Sequence, residues 1–241
     1  MSELVIVEKS DLVSIADKIR ERTGDTKGLA IGEMTTAIDN IGADFTELES
    51  KLSNGFTDYS YHFFRHAMNE VPTEILQHTS NGTNFYYMFA NSPNLTAVPQ
   101  FDTSNGMDFG GMLYNCAKIT AVPQFDTSNG TNFDRMLYGC SVLITVGGID
   151  LSSATIVTNM FFNCPSLENI TINGVIKISG LVLSSCGKLT HTSLMSIINA
   201  LYDWAANSGT GTYKLTLGST NLAKLTDAEK AIATQKGWTL A

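Results

Sequence analysis

Several residues in this chain sit at spacings that chemistry could use. His62 and His66 lie four apart in "HFFRHAMNE", with Glu70 four further on. On one helix the three would share a face, a set that zinc could occupy. Pro72 follows at once, however, and a helix is not expected to reach Glu70. Four cysteines, Cys116, Cys140, Cys164 and Cys186, follow one another at intervals of 24, 24 and 22 residues. Zinc sites favour close pairs such as C-x-x-C, and none is present. Asp102, Asp126 and Asp150 share the 24-residue spacing. A calcium ion between them is one reading; the capping of a following turn is the simpler one. Aromatic residues recur in step as well: Tyr86 and Tyr87, then Tyr114, Tyr138 and Phe162. Rings stacked about 5 Å apart could offer a platform to sugar faces, or could shield the edges of the segments that carry them.

No catalytic constellation accompanies these columns. G-x-S-x-G, H-E-x-x-H and a phosphate-binding glycine loop are all missing, and carboxylates are too sparse in the middle of the chain to place a glycosidase pair. The expectation is a non-enzymatic protein with no catalytic residue, no metal and no cofactor.

The elements that must position such columns follow from the period. "TAVPQFDTSNG" occurs at 96–106 and again at 120–130. Met88, Met112, Met136 and Met160 keep the same interval, as do Leu95, Ile119, Leu143 and Leu167. Ser92 precedes the cysteine column and His78 precedes the aspartate column. A fixed period of this length marks a stacked-repeat architecture in which no unit buries its own apolar face. In "TNFDRMLYGCSVLITVGGI", Phe133, Met136, Leu137 and Cys140 fall at i, i+3, i+4 and i+7, which reads as one short helical face. Leu143, Val146 and Ile149 then read as a short extended segment. "DTSNG" is turn chemistry, with glycine expected to supply positive φ. Pro99 and Pro123 remove ladder donors, so strands of two or three residues are expected. The outward positions vary between units: Tyr86-Tyr87, Gly110-Gly111, Asp134-Arg135 and Thr158-Asn159. A display surface behaves so, as does an unconstrained one. The cysteines, sharing one slot, read as small apolar core residues.

Composition divides the chain. Residues 1–50 carry 11 acidic and 5 basic side chains, whereas 76–190 carry 6 and 4 over more than twice the length. Two short amphipathic helices are expected in the first segment, one in "SDLVSIADKIRERTG" and one in "IGEMTTAIDNIG". They are too short to stand alone and should dock on something. Residues 191–241 break the period and read as a cap: a helix in "HTSLMSIINALYDWAA", a strand in "TYKLTLG", a capped helix in "TDAEKAIATQKG" and a final strand in "WTLA". The fold class expected is an α/β solenoid. It has a helical attachment and assembly module at 1–50, repeats of about 24 residues at 51–190 and an α/β cap at 191–241. The net charge of −8 argues against nucleic acid as a partner. No apolar run is long enough to insert in a membrane.

The unit "FDTSNGTNF…MLYGC…L…V" resembles the BspA-like leucine-rich repeats of bacterial and phage surface proteins. "LGSTNLAKLTDAEKAIATQKGWTLA" and "DLVSIADKIRERTGDTKGLAIGEMTTAIDNI" resemble the end and front modules of tail proteins from phages that infect Gram-positive bacteria. The resemblance implies a tail or fibre component of the virion. Residues 1–50 would bind other tail or baseplate proteins, the repeats would face a host surface protein or glycan, and homo-oligomers, as trimers, are the usual form of such fibres. Synthesis in the host cytosol followed by release at lysis would explain a surface-like composition without a secretory signal. A bacterial leucine-rich-repeat adhesin is the alternative, and a polysaccharide depolymerase a third. Ligand contacts are expected at Tyr86, Tyr87, Tyr114, Tyr138 and Phe162.

The shared slot of the cysteines carries its own test: titration of the denatured protein without reductant should find four free thiols, and two or none would contradict the core-column reading.

Overall fold

The computed structural model describes residues 57–65, 69, 71, 76–77 and 79–241. The module expected at 1–50, with its two helices, lies outside the described residues, as do His66, Glu70 and His78.

From Asp58 onward, one residue per unit pairs in parallel with its equivalent in the next: Asp58 with Asn84, Asn84 with Asp108, Asp108 with Asn132 and Asn132 with Ile156. On another side of the unit, β1 (Ala121–Val122), β2 (Thr145–Asp150) and β3 (Asn169–Asn173) form a parallel sheet in that order. Ala121 faces Thr145, and Thr145 faces Asn169. The side chains pointing inward form one continuous core. Phe85, Met88, Met112, Leu113, Phe133, Met136, Leu137, Leu143, Met160 and Leu167 are all at most 1% exposed. Tyr59, Phe85, Phe109 and Phe133 stack ring on ring through it, with centroids 5.6–5.7 Å apart.

The segment expected to be helical is not a helix. Phe133, Met136, Leu137 and Cys140 are buried as the spacing requires, but the backbone runs as consecutive turns. The amides of Phe133, Arg135, Leu137 and Gly139 donate to the carbonyls of Ile156, Thr158, Met160 and Phe162 in the next unit, at 2.8–3.0 Å. The amides between them donate backward three residues: Met136 to Phe133, Tyr138 to Arg135 and Cys140 to Leu137, at 3.1–3.3 Å. Arg135 and Gly139 take positive φ, as do Tyr87 and Asn91, Gly111 and Asn115, and Asn159 and Asn163 in their units. A segment this short gains little from nucleating a helix. Neighbouring units satisfy half of its amides instead, and two left-handed residues per unit turn the alternate carbonyls along the stack.

Every residue of the repeated corner has a partner. The Asp102 carboxylate accepts from the Ser104 amide and hydroxyl, and Asp126 does the same with Ser128. Buried Thr103 and Thr127 donate to the carbonyls of Asp126 and Asp150 in the following unit. Asn105 and Asn129 donate to Ser80 and Ser104 in the preceding corner. Gly106 and Gly130 do not take positive φ. Glycine is needed because a Cβ there would lie 2.4 Å from the ring tip of Phe109 or Phe133.

Proline controls strand length where it stands. β1 stops at Val122, just before Pro123. In the next unit Gly147 and Gly148 hold the Pro123 and Gln124 slots, and β2 runs for six residues rather than two or three. Gly147 approaches the preceding unit so closely that a Cβ would lie 2.5 Å from the Gln124 nitrogen.

The first sheet ends against α1 (His191–Ala200), whose amide end is capped by the Thr190 side chain. Ser193 and Ser196 on α1 accept from the amides of Ile170 and Ile172 in β3, so a helix closes the sheet edge. Leu194, Ile197, Ile198 and Leu201 are buried as expected, but the helix stops at Ala200 rather than running on to 206. A second parallel sheet consists of β4 (Leu181–Val182), β5 (Tyr213–Thr216) and β6 (Trp238–Leu240). Between its last two strands lie a short α2 (Ser219–Leu222) and α3 (Asp227–Gln235), which opens on a capping box of Thr226 and Glu229. Among the described residues, no helix is long and apolar enough to cross a membrane.

Met136→Asp places a charge in the continuous core. Leaving it unpaired costs several kcal/mol, on the order of the 5–15 kcal/mol that holds a domain together. Its circular-dichroism melt should lose several units together; a melt unchanged from the parent would contradict coupling between neighbours.

Candidate functional site

The ring column builds along the outside of the turns. Tyr114, Tyr138 and Phe162 occupy one slot in successive units. Tyr114 stacks on Tyr138 at 4.9 Å with planes 18° apart, and Tyr138 on Phe162 at 5.1 Å and 20°. In the preceding unit Ala90 holds that slot. Tyr87, three residues earlier, sends its ring across to fill it and meets Tyr114 at 5.5 Å. Tyr61 then stacks on Tyr87 at 5.6 Å and 20°. Phe64 and Tyr86 flank this end, each edge-on to Tyr61 at 5.3 and 5.6 Å.

The five residues expected to bind therefore do come together, and the structure adds Tyr61 and Phe64. These two escaped the 24-residue period because Asp58 pairs with Asn84, 26 residues away. Allowing that offset places Tyr61 opposite Tyr87. The expectation of a platform of ring faces needs correction, though. Rings stacked along the axis cover one another's faces and present their edges, so the inner rungs offer phenol hydroxyls and ring hydrogens. An uncovered face remains only where the ladder ends. Phe162 is 45% exposed and has a single ring partner among the described residues, whereas Tyr61, 43% exposed, is surrounded by three rings.

The variable positions prove to be linked. A Cβ on Gly111 would lie 2.3 Å from the Tyr87 ring, and one on Gly110 would lie 2.9 Å from Tyr86. The glycine pair makes room for the tyrosine pair of the unit before. One unit on, Arg135 pairs with Asp134 at 2.6 Å. Burial pushes the ionisation of both Tyr86 and Tyr87 to higher pH, so the phenols stay protonated and able to donate.

The other chemical candidates have structural partners. The cysteine column is more than small apolar filling: each thiol donates to a carbonyl of the preceding unit. Cys116 reaches Phe89, Cys140 reaches Leu113 and Cys164 reaches Leu137 at 3.0–3.2 Å, while Cys186 reaches Phe161 at 3.4 Å. Ser92 makes the same bond to Phe63 at 3.1 Å, which explains why serine and cysteine share the slot. All four thiols are buried and unpaired by disulfides. Burial pushes Cys116 and Cys164 up to about 12 and Cys186 to about 11, and raises Cys140 as well. The aspartate column is engaged by its serines, whose bonds hold the Asp102 carboxyl below its ordinary range. His62 is half-buried with its ring edge-on to Phe63 at 5.0 Å. Among the described residues no group of three His, Cys, Asp or Glu side chains is gathered as a metal site would require.

A second ring cluster lies in the C-terminal part. Trp204 stacks on Tyr213 at 4.3 Å, Tyr202 meets Trp204 edge-on, and the Trp238 indole donates to the Tyr202 carbonyl. Trp238 is buried, and Tyr202, Trp204 and Tyr213 are half-buried.

Residues 57–173, just under half of the chain, match the family DUF285, described as a Mycoplasma protein of unknown function, a family associated with BspA-like repeat proteins. No curated protein and no solved structure matches the chain.

The buried thiols make stability depend on pH. Between about 9, the ordinary thiol value, and about 12, the folded chain keeps protons that the unfolded chain releases. Stability is therefore expected to fall as pH rises through that window. At pH 8 the native thiols should resist an alkylating reagent that modifies all four in denaturant; rapid native labelling would contradict the burial.

Proposed function

We propose that this chain is a non-enzymatic recognition protein of a phage tail or fibre, in which BspA-like leucine-rich repeats form a solenoid that carries a host-binding surface. The carrying observation is the contrast between slots. Core and corner positions keep the same or closely similar residues because each closes a specific contact with a neighbouring unit. The outward turn positions carry tyrosine pairs, glycines, an Asp-Arg pair and Thr-Asn in successive units. A scaffold that locks its backbone in this way can vary its surface without refolding.

Three further features support the reading. The outer face gathers aromatic side chains, which bind with little loss of conformational freedom. Neutral polar residues dominate the rest of the surface composition. The front and end segments resemble modules of tail proteins from phages of Gram-positive bacteria. In this proposal residues 1–50 attach the chain to other tail or baseplate proteins and assemble it, as a trimer, while the repeats project toward a host protein or glycan. A cell-surface adhesin would use the same face, and what separates the two is the particle that carries it.

The test labels the full chain fluorescently and mixes it with intact Gram-positive cells, while gold-labelled antibody to the chain is applied to phage particles. Saturable cell binding together with gold at the tail tip is expected. Cell binding with unlabelled particles would favour the adhesin, and no saturable binding to any strain tested would sink the recognition role.

A further inference from the structure

The ring ladder stops for a specific reason, and its end has the makings of a binding site. The column runs through Tyr114, Tyr138 and Phe162 and then loses its rings. The next unit arrives after a two-residue slip, with Cys186 standing where the period would put 188. That slip places Ser184 after Phe162, and its Cα and Cβ lie 3.0 Å from the position of a Cβ on Gly218 in the unit beyond. A serine followed by a glycine at positive φ leaves the outer face of Phe162 without a ring to cover it, consistent with its 45% exposure.

The residues beside Phe162 on its own turn and in the facing slot, Asn159, Asn163 and Ser184, are polar and uncharged. Asn159 and Asn163, both at positive φ, lie on the same turn as Phe162, three residues before it and one after. The Asn163 amide donates to the Ser185 hydroxyl at 3.1 Å, which ties the two units together one residue after Phe162. Ser184 is exposed. An open aromatic face beside amide and hydroxyl groups, with no charge among these residues, suits a neutral saccharide. Its apolar C–H face would lie on the ring while its hydroxyls meet the amides. A charged ligand would find no counter-ion among these residues, and an extended apolar peptide would find one ring and no groove.

Resting on the recognition role proposed above, we infer that the outer face of Phe162 is a subsite for one neutral pyranose unit of a surface glycan, with Asn159, Asn163 and Ser184 as its polar contacts. The inner rungs do not bind sugar faces. They hold Phe162 flat and rigid, so that its ring is already oriented when a ligand arrives.

The experiment titrates the full chain, with ring-labelled phenylalanine, against chitotetraose, cellotetraose and maltotetraose, and follows the Phe162 resonance by NMR. The resonance is assigned from its loss in Phe162→Tyr. At least one oligosaccharide should shift it. Phe162→Ala should weaken that binding about tenfold or more, the scale of one lost ring contact, and Phe162→Tyr should keep it. Ser184→Tyr supplies the missing rung without touching Phe162, and should abolish binding even if Phe162→Ala fails to fold. The subsite is overturned if none of the three sugars moves Phe162, or if binding survives Ser184→Tyr. Cell binding separates this from the broader proposal. Binding to cells by a parent chain whose Phe162 none of the sugars moves, or whose oligosaccharide binding survives Ser184→Tyr, rejects the subsite and leaves host recognition standing. Oligosaccharide binding lost in Ser184→Tyr, by a parent chain that binds no cell, upholds the subsite and rejects the recognition role.

Discussion

Backbone amides of one unit donating to carbonyls of the next are the constraint on which the rest of this molecule depends. In the turn segment they bind every second amide, and Phe133, Arg135, Leu137 and Gly139 show the pattern at full length. Because these bonds tie position to position, equivalent slots of neighbouring units stay aligned even where the interval changes, as it does from 26 residues between Asp58 and Asn84 to 24 between Asn84 and Asp108. A side chain of a given size then always meets its own equivalents above and below. Methionine, leucine and phenylalanine columns follow from that register, as does the burial of each of them. The left-handed residues are its cost. Tyr87 and Arg135 hold φ of 53°, a region that non-glycine residues rarely enter without compensation. Asparagine and glycine fill the second left-handed slot of most units: Asn91, Asn115, Gly139 and Asn163.

Polar columns finish what the backbone leaves open. Serine and cysteine donate from the core to the preceding unit, threonine donates from the corner to the following one, and asparagine ties corner to corner. Each such bond contributes about 1 kcal/mol, and its loss leaves a buried group that costs about 1–3 kcal/mol. One column shows how charge is managed. Asp58, Asn84, Asp108 and Asn132 each cap the amide two residues on, and Asn132 donates across to Asp108 at 2.9 Å. Four aspartates in that half-buried column would repel by about 3 kcal/mol per neighbouring pair at one strand spacing and an effective dielectric of 20. Alternation with asparagine replaces repulsion with a hydrogen bond. Asp102 and Asp126, by contrast, are exposed, where water screens like charges and no alternation is needed.

A stack of this kind must also stop. Ser193 and Ser196 of α1 accept the amides of Ile170 and Ile172 that a further strand would have taken, and Ser193 donates to the Glu168 carbonyl. The other side of the chain continues past that point. β4, β5 and β6 extend it with a wider interval between β4 and β5. Buried Asn221 donates to the carbonyls of Leu183, Cys186 and Leu217. What reads in the sequence as a separate cap is thus partly a continuation of the same hydrogen-bonding logic with different residues.

The period, the buried columns, the short strand before Pro123 and the capped helix at 227–235 were all legible in the sequence, because each is a local residue choice repeated at a fixed interval. The conformation of the turn segment was not. Buried residues at i, i+3, i+4 and i+7 satisfy a helix and a run of turns equally, and only the neighbouring unit decides which amides remain to be paired. The candidate site divides in the same way. Tyr86, Tyr87, Tyr114, Tyr138 and Phe162 could be picked out by spacing, but spacing carries no information about whether a ring shows its face or its edge. Tyr61 and Phe64 stayed hidden behind a 26-residue offset, and Gly110 and Gly111 looked like free variation until the rings above them were placed. Composition and period describe what each unit brings to its neighbours. Which surfaces remain open is decided only when the units are stacked, because exposure is a property of the pair and not of either member.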